Sequence, residues 1–504
     1  MSILLTTLNA RYTHASLGLR YLLANMGPLQ DQTRIQEFVT GAKTADLVER
    51  ILAHAPRIVG FGVYIWNVEE TTRLVAMLKR VAPAVKIILG GPEVSHETGE
   101  QEIVGLADYV VTGWGDVTFP KLCGDILHGP KPLMKIHAGV QPPMDAIALP
   151  YALYNDDDIA NRTLYVEASR GCPFKCEFCL SSLDKTAWPF PLDAFLAEME
   201  AMYVRGARLF KFVDRTFNLN VKTSLRIMDF FLDKIAQYPD DPIYAHFELV
   251  PDHLPDALKD TIAKFPAGAL QFEIGIQSFN PEVQALVSRR QNNEKAAENI
   301  RWLTQHATAH LHVDLIAGLP GEDVASFARG FDQLVGLGAE EIQFGILKRL
   351  RGTPIIRHTE AFGMVYDPYP PYTVLATDKI DFATMQRLVR FARYWDLVAN
   401  SGRFANTTPV LLGEAPFDNF MAFSDWIYTR TDATHRIALD RLAKLVAEYL
   451  QVRGMAAHEA ASLLASDYAG KVDAPARTPQ AVAGTVPDTA RAVAPSRQAR
   501  HLAA

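Results

Sequence analysis

The chain has 504 residues, 49% of them hydrophobic and 21% charged, with a net charge of -7 when its 14 histidines are taken as neutral. That length asks for roughly three domains at about 150 residues each; the composition excludes global disorder and shows no basic bias towards nucleic acid or an anionic membrane. No apolar run approaches the ~20 residues that span a bilayer, and four cysteines are too few for a disulfide framework in a chain of this size. The first residues, Met1-Ser2-Ile3-Leu4-Leu5, carry no basic leader, so a soluble cytoplasmic protein is expected.

In chain order, Ile3–Leu8 reads as a strand and Ser16–Met26 as a helix. Arg34–Val39 follows as a strand and Asp46–Ala53 as a helix. Arg57–Tyr64 is a continuous apolar strand, and Val68–Val81 has helical spacing. Lys86–Gly91 and Asp108–Thr112 complete the strands, each running into glycines. This alternation predicts an α/β fold whose first domain, residues 1–130, is a doubly wound, Rossmann-like parallel sheet covered on both faces. Ligands of such sheets sit at the carboxyl ends of the strands.

Prolines and the run Asp156-Asp157-Asp158 mark residues 131–160 as a linker. Residues 161–354 alternate again, with strands expected at Thr163–Glu167, Arg208–Val213, Ile243–Glu248, Leu270–Ile276, Leu311–Ile316 and Glu341–Gly345. Six repeats suit a partial (β/α)6 barrel rather than a closed eightfold one. Residues 355–470 read as a helical C-terminal region rich in aromatics. Residues 471–504, rich in Ala, Pro and Arg, read as a disordered tail.

Three of the four cysteines lie within Cys172-Pro-Phe-Lys-Cys176-Glu-Phe-Cys179, just after the first strand of the second region. Thiolates are soft ligands that suit zinc or iron–sulfur centres. A structural zinc site closes with four ligands, and no fourth Cys or His lies near. Cys123, in an apolar helical pattern, reads as a buried small hydrophobe. Three thiolates on a four-iron cube leave one iron open to a small molecule.

The Cys-x3-Cys-x2-Cys spacing, with Phe178 before its last Cys, resembles the signature of the radical S-adenosylmethionine superfamily. Phe212-Val-Asp214-Arg-Thr-Phe217-Asn218, Glu273-Ile-Gly275-Ile-Gln277-Ser278 and Asp314-Leu-Ile-Ala-Gly318-Leu-Pro320-Gly-Glu322 resemble its later strand motifs in order, although the usual Gly-Gly-Glu is absent. The resemblance covers about residues 160–350. It implies a 4Fe-4S cluster on Cys172, Cys176 and Cys179. It also implies S-adenosyl-L-methionine held by Phe178, Asp214, Glu273, Gln277, Ser278 and Asp314.

A doubly wound domain ahead of such a barrel resembles the cobalamin (B12)-binding subgroup. The echoes are Ser16-Leu-Gly18-Leu-Arg-Tyr-Leu22, Val59–Tyr64, Leu89–Glu93 and Gly113–Phe119. They imply cobalamin contacts from Leu17, Gly18, Tyr64, Trp66, Asn67, Gly90, Gly91, Gly113 and Gly115. No Gly-x-Gly-x-x-Gly opens the first helix, which argues against a dinucleotide. The Asp-x-His-x-x-Gly motif that supplies an axial histidine is also absent. His14 is its nearest imitation and reads as a surface or helix-capping residue, leaving Tyr64, Trp66 and Asn67 to line the lower face of the cobalt.

The resemblance implies an enzyme that reductively cleaves S-adenosylmethionine to a 5′-deoxyadenosyl radical. Its leading expected reaction is C-methylation of an unactivated carbon in a small molecule or peptide. The alternative is ring contraction or oxidative cyclisation without methyl transfer. A methylthiotransferase would need three further N-terminal cysteines where only Cys123 exists, and a storage or sensing protein would leave the barrel motifs unused. The expected electron donor is a flavodoxin or ferredoxin, the expected state a monomer, and neither nucleic acid nor membrane is expected as a partner. After residue 355, the helices are expected to close the open side of the barrel, and they look similar to an uncharacterised C-terminal domain of some cobalamin-type radical enzymes. Lys348–Pro354 offers polar lining for a substrate pocket. Trp395, Phe417, Phe420 and Trp426 offer aromatic lining, with core packing the stronger reading for each.

Overall fold

Strands buried along their whole length, such as Ile3–Asn9 with all seven residues buried, need cover on both faces, which a parallel sheet between helices provides. The computed structural model describes residues 2–184, 186–468 and 496–502. Its first sheet contains β1 (Ile3–Asn9), β2 (Thr33–Val39), β3 (Ile58–Gly62), β4 (Lys86–Gly90), β5 (Tyr109–Thr112) and β6 (Ile136–Ala138). All are parallel, in the order β2-β1-β3-β4-β5-β6. The order reverses between β1 and β3, the switch point where such sheets open a crevice. The strands alternate their side chains between two cores. Leu4 and Leu8 pack with Leu47, Ile51, Leu74 and Leu78 on one face, and Ile3 and Leu5 pack with Leu19, Phe119, Leu122 and Cys123 on the other. Cys123 is fully buried there, as its apolar context predicted.

The expected linker is more ordered than its prolines suggested. β6 lies inside it and extends the sheet through Val110↔Ile136 and Thr112↔Ala138. Three residues of modest hydrophobicity give no strand signal alone; β5 supplies the pairing. The run Asp156–Asp158 opens a helix, Asp156–Asn161, with Asn155 as its cap. Acidic side chains suit the first turn of a helix. Asp158 is also buried against Arg20 (2.6 Å) and Arg162 (2.8 Å), which both reach Glu37. Burial alone would raise the Glu37 and Asp158 carboxyls, but the two guanidiniums hold both below their ordinary range.

The chain divides into two units, 1–215 with 348–356 and 367–373, and 216–347 with 357–366 and 374–504. In the first, β7 (Leu164–Val166), β8 (Ser169–Gly171), β9 (Ala187–Pro189) and β10 (Leu209–Phe212) follow the sheet; β7 pairs with β10 in parallel, and β8 with β9 in antiparallel fashion. In the second, β11 (Tyr244–Leu249), β12 (Leu270–Gln277), β13 (His310–Ala317) and β14 (Glu341–Ile346) run side by side in parallel. All six strands expected of the partial barrel therefore form. The helices between them, among them Val221–Gln237 and Asn293–His306, follow the expected alternation.

The C-terminal helices Phe382–Val398 and Pro416–Thr431 pack an aromatic core. Trp395, Phe417 and Phe420 are buried among Phe331 and Phe391, at ring spacings of 4.8 to 6.0 Å. They are core residues rather than pocket lining. Trp426 stacks beneath Arg430 and against Tyr449. Most of the expected disordered tail lies outside the described residues, but its end, Ser496–Leu502, is a helix. Arg497 pairs there with the buried Glu341 at 3.0 Å and Gln498 donates to Gln271 at 2.8 Å, partners that composition cannot reveal. Among the described residues no helix is long and apolar enough to cross a membrane.

Candidate functional site

At the carboxyl ends of β3, β4 and β5 a cavity of about 480 Å³ opens within the first unit. The helix Leu17–Ala24 and the strand ends Gly60–Tyr64, Gly90–Pro92 and Val111–Asp116 form one wall. Glu167, Arg170 and the segment Leu180–Asp184, which brackets the cysteine loop, form the other. Seven of the nine residues expected to contact cobalamin line it: Leu17, Gly18, Tyr64, Gly90, Gly91, Gly113 and Gly115. A Cβ at Gly113 would meet nothing within 4 Å and one at Gly90 nothing nearer than 3.7 Å, so this rim leaves free space for a flat ligand. His96, Trp114, Asp116, Phe119 and Arg170 also line the wall. The sequence motif Gly113–Phe119 pointed to three of these, but only its glycines were singled out.

Trp66 and Asn67 stand outside the lining, because the turn after β3 directs them elsewhere. Asn67 is buried; its side chain accepts from the Tyr64 amide (2.9 Å) and donates to the Leu8 carbonyl (3.0 Å), locking that turn. Trp66 is half exposed and stacks on Tyr64 at 4.5 Å, buttressing a residue that does face the cavity. Gly91 is required by packing rather than by a ligand, since at φ 105° its Cβ would lie 2.5 Å from the Val63 carbonyl oxygen. His14 neither caps a helix nor lines the cavity. Its Nδ1 lies 2.6 Å from the Tyr165 hydroxyl, and Ser16 is the residue that caps the helix.

The cysteine loop is held from several sides. Gly171, at φ 93°, passes so close to the Thr186 carbonyl that any Cβ would clash at 2.4 Å. The Phe190 amide donates to the Ala168 carbonyl, and the Ile355 amide to the Glu177 carbonyl. Asp214, at the end of β10, accepts from the Ala168 amide (2.9 Å) and the Ser169 hydroxyl (2.6 Å), so both its oxygens anchor the approach to Cys172. Burial pushes the Asp214 carboxyl up to about 7.

Cys172, Cys176 and Cys179 are free thiols. Burial pushes the Cys172 thiol up to about 11, and the charges of Cys179 and Cys176 add to that rise, which places the three in one electrostatic neighbourhood. Among the described residues no three His, Cys, Asp or Glu side chains gather to hold a single metal ion. A four-iron cube gives each thiolate its own iron, so its ligands need not converge on one point. The donor set and spacing fit that group.

Arg170 joins the two walls. Its Nε and one terminal nitrogen donate to Glu167 (3.0 and 2.7 Å) and its other to Asp116 (3.0 Å). The guanidinium lies 4.6 Å from the Tyr21 ring centre and 4.8 Å from that of Trp114. Burial opposes its charge, but Glu167 and Asp116 hold it above its ordinary range.

The segment Lys348–Pro354, expected as substrate lining, is engaged with the loop after β4. Arg351 bonds Glu93 (3.0 Å) and Glu97 (3.1 Å), Arg349 bonds Glu97 (2.9 Å), and the Tyr372 hydroxyl donates to Glu93 (2.7 Å).

The second unit carries four of the six residues expected to contact S-adenosylmethionine: Glu273, Gln277, Ser278 and Asp314. β12 and β13 register Glu273 against His312 and Gly275 against Asp314, placing Glu273 and Asp314 on one face. His246 lies 3.2 Å from Glu273, and His312 lies 3.4 Å from Asp314. A bulge before Gln277 re-aims it, at φ 69°. Its buried Oε1 finds no hydrogen-bond partner among the described residues. An orphaned acceptor of this kind fits a ligand with a donor to offer. Ser278 instead donates to the buried Glu322 at 2.6 Å, and burial pushes that carboxyl up to about 7. Phe178 is half-buried in the cysteine loop.

Residues 3–123 match the B12 binding domain family, residues 166–334 the radical SAM superfamily, and residues 360–491 a protein family of unknown function, DUF4080. An uncharacterized methyltransferase of Pyrococcus horikoshii is 27% identical over 241 residues, 43% of this chain and 52% of that protein. The 2-(S-pantetheinyl)-carbapenam-3-carboxylate methyltransferase of Streptantibioticus cattleyicolor is 24% identical over 340 residues, 58% of this chain and 47% of that protein. The chain thus spans about half the length of these curated relatives. Among solved structures, the cobalamin-dependent S-adenosylmethionine radical enzyme OxsB, with aqua-cobalamin and S-adenosylmethionine bound, aligns with a TM-score of 0.62 at 12% identity. That alignment covers 92% of this chain and 78% of OxsB. The methyltransferase TsrM from Kitasatospora setae aligns at 0.55 and 16% identity, covering 70% of this chain and 75% of TsrM. At these identities the likeness is one of fold.

Proposed function

From a chain that joins a B12-binding domain to a radical S-adenosylmethionine domain, and is an enzyme of that superfamily, we propose a cobalamin-dependent methyltransferase acting on an unactivated carbon of a small molecule or peptide. The observation that carries this reading is a cavity walled on one side by the strand ends of the first sheet and on the other by residues flanking the cysteine loop. The strand ends proposed for the corrinoid and the residues on either side of the cysteine loop then border one space, in keeping with a reaction that uses both cofactors. When bound, the cluster supplies an electron, the cosubstrate a cleavable sulfonium, and the corrinoid one-carbon or electron chemistry.

The chain's own residues bind and orient. Cys172, Cys176 and Cys179 are the cluster ligands, and Asp214 holds the strand that leads into them. Glu273, Gln277 and Asp314, all in the second unit, are the proposed contacts for the cosubstrate, with Gln277 Oε1 the acceptor in want of a donor. Ser278 acts through Glu322. Leu17, Gly18, Tyr64, Gly90, Gly113 and Gly115 receive part of the corrinoid, with Trp66 behind Tyr64. A flavodoxin-like or ferredoxin-like donor supplies the electron to a monomeric enzyme. The match to the carbapenam methyltransferase over 340 residues supports methyl transfer over the other chemistries of this architecture.

The test is anaerobic loading with iron, sulfide and hydroxocobalamin, then turnover with labelled S-adenosylmethionine. About four irons and one corrinoid per chain are expected after desalting. A methyl transferase yields S-adenosylhomocysteine beside 5′-deoxyadenosine on a matching substrate. 5′-Deoxyadenosine without S-adenosylhomocysteine would assign ring contraction or oxidative cyclisation instead.

A further inference from the structure

Arg170 stands two residues before Cys172, yet its side chain belongs to the cavity wall. Every strong contact of the guanidinium is with a group that lines the cavity: Glu167, Asp116, Tyr21 and Trp114. Asp116 and Trp114 ride on the loop after β5, whose backbone fits so closely over Gly139 that a Cβ there would lie 2.1 Å from the Trp114 carbonyl oxygen. On its other side Arg170 belongs to β8, which is pinned by β9 and whose first residue, Ser169, bonds Asp214. The planar guanidinium fork holds both carboxylates at once, so moving one of them strains the pair. Trp114 and Asp116 are thereby linked to β8, which leads into Cys172.

We propose that Arg170 is a positioning residue that couples the two cofactor sites, so that an ordered cluster presets the cavity wall for the corrinoid, and a bound corrinoid in turn holds Cys172 in place. The inference rests on the cofactor assignment proposed above. Coupling of this kind is reciprocal, since linkage requires each ligand to alter the other's affinity by the same factor.

The full chain is titrated anaerobically with hydroxocobalamin, followed by absorbance, in its cluster-loaded and cluster-free forms. The wild type is expected to bind about tenfold tighter when the cluster is present, within the usual span of such couplings. Asp116→Ala removes the acceptor that ties Arg170 to the first sheet while leaving the Arg170–Glu167 bond, and Arg170→Lys keeps the charge but loses the fork. In both, the ratio of the two Kd values is expected to fall to about one, whatever the absolute affinities. A merely structural role would weaken both forms alike and leave the ratio intact. A wild-type ratio of one overturns the inference without any variant, as does a variant that keeps the wild-type ratio. A wild type that loads iron but binds no corrinoid takes down the cobalamin assignment as well, and is distinguished by that missing binding.

Discussion

Asp214→Asn tests whether the buried carboxyl at the end of β10 serves to hold the cysteine loop. Asp214 is 2% exposed and accepts two hydrogen bonds, from the Ala168 amide and the Ser169 hydroxyl. Burial lifts its value from the ordinary 3.8 to about 7, so the folded state holds a proton that the unfolded state releases. Below about pH 4 both states are protonated and the group contributes nothing. As pH rises towards 7 the contribution turns against folding, at about 1.4 kcal/mol per pH unit, and it levels off above that value at about 4 kcal/mol as an upper bound.

Asparagine keeps an acceptor for the Ala168 amide, can donate to the Ser169 hydroxyl, and does not titrate. The variant is therefore expected to gain stability over the wild type progressively between pH 4.5 and 7.5. Melting of the cluster-free chain measures this, at about 2–4 °C per kcal/mol for a unit of this size. Asp214→Ala, which leaves two partners unsatisfied, should lose about 1–3 kcal/mol and load less iron, whereas the asparagine variant loads iron normally. Parallel melting curves for wild type and Asp214→Asn across that pH range would refute the reasoning.

Gly90→Phe, at a rim position with free space before its Cβ, should lower hydroxocobalamin affinity about 5- to 150-fold, the equivalent of about 1–3 kcal/mol of overpacking. Iron content should stay unchanged; unaltered corrinoid binding would remove Gly90 from the site. Arg20→Met leaves Glu37 and Asp158 to Arg162 alone. Because that partner remains, the loss should fall near the lower end of the buried-pair range, about 3 kcal/mol by chemical denaturation, and a loss under about 1 kcal/mol would contradict it. Alanine at Cys172, Cys176 and Cys179 together should abolish bound iron with an unchanged far-ultraviolet spectrum, whereas Cys123→Ala should keep its iron and lose stability, since Cys123 is wholly buried with Ile3, Leu5 and Phe119 on one face of the first sheet.

Periodicity carried most of the fold. Strands such as Arg57–Tyr64 and helices such as Val68–Val81 could be read directly, because each is long and apolar enough to declare its own period. The spacing of Cys172, Cys176 and Cys179 was equally legible, since ligand spacing is a property of consecutive residues. β6 and the helix at Ser496–Leu502 were not, because each is short and takes its stability from partners distant in the chain, β5 for one and Glu341 and Gln271 for the other.

By itself, the sequence determined which chemistry the chain can host: three soft ligands on one loop, a doubly wound domain before a six-stranded one, and glycines at the strand ends. Only the tertiary structure decided what each polar residue does. It gave Asp214 to the cysteine loop, Ser278 to Glu322, Asn67 to a turn and Arg170 to the wall of the cavity. The physical reason is that local spacing sets which way a backbone can turn, whereas a buried charge or amide must find its partner in three dimensions, wherever along the chain that partner lies.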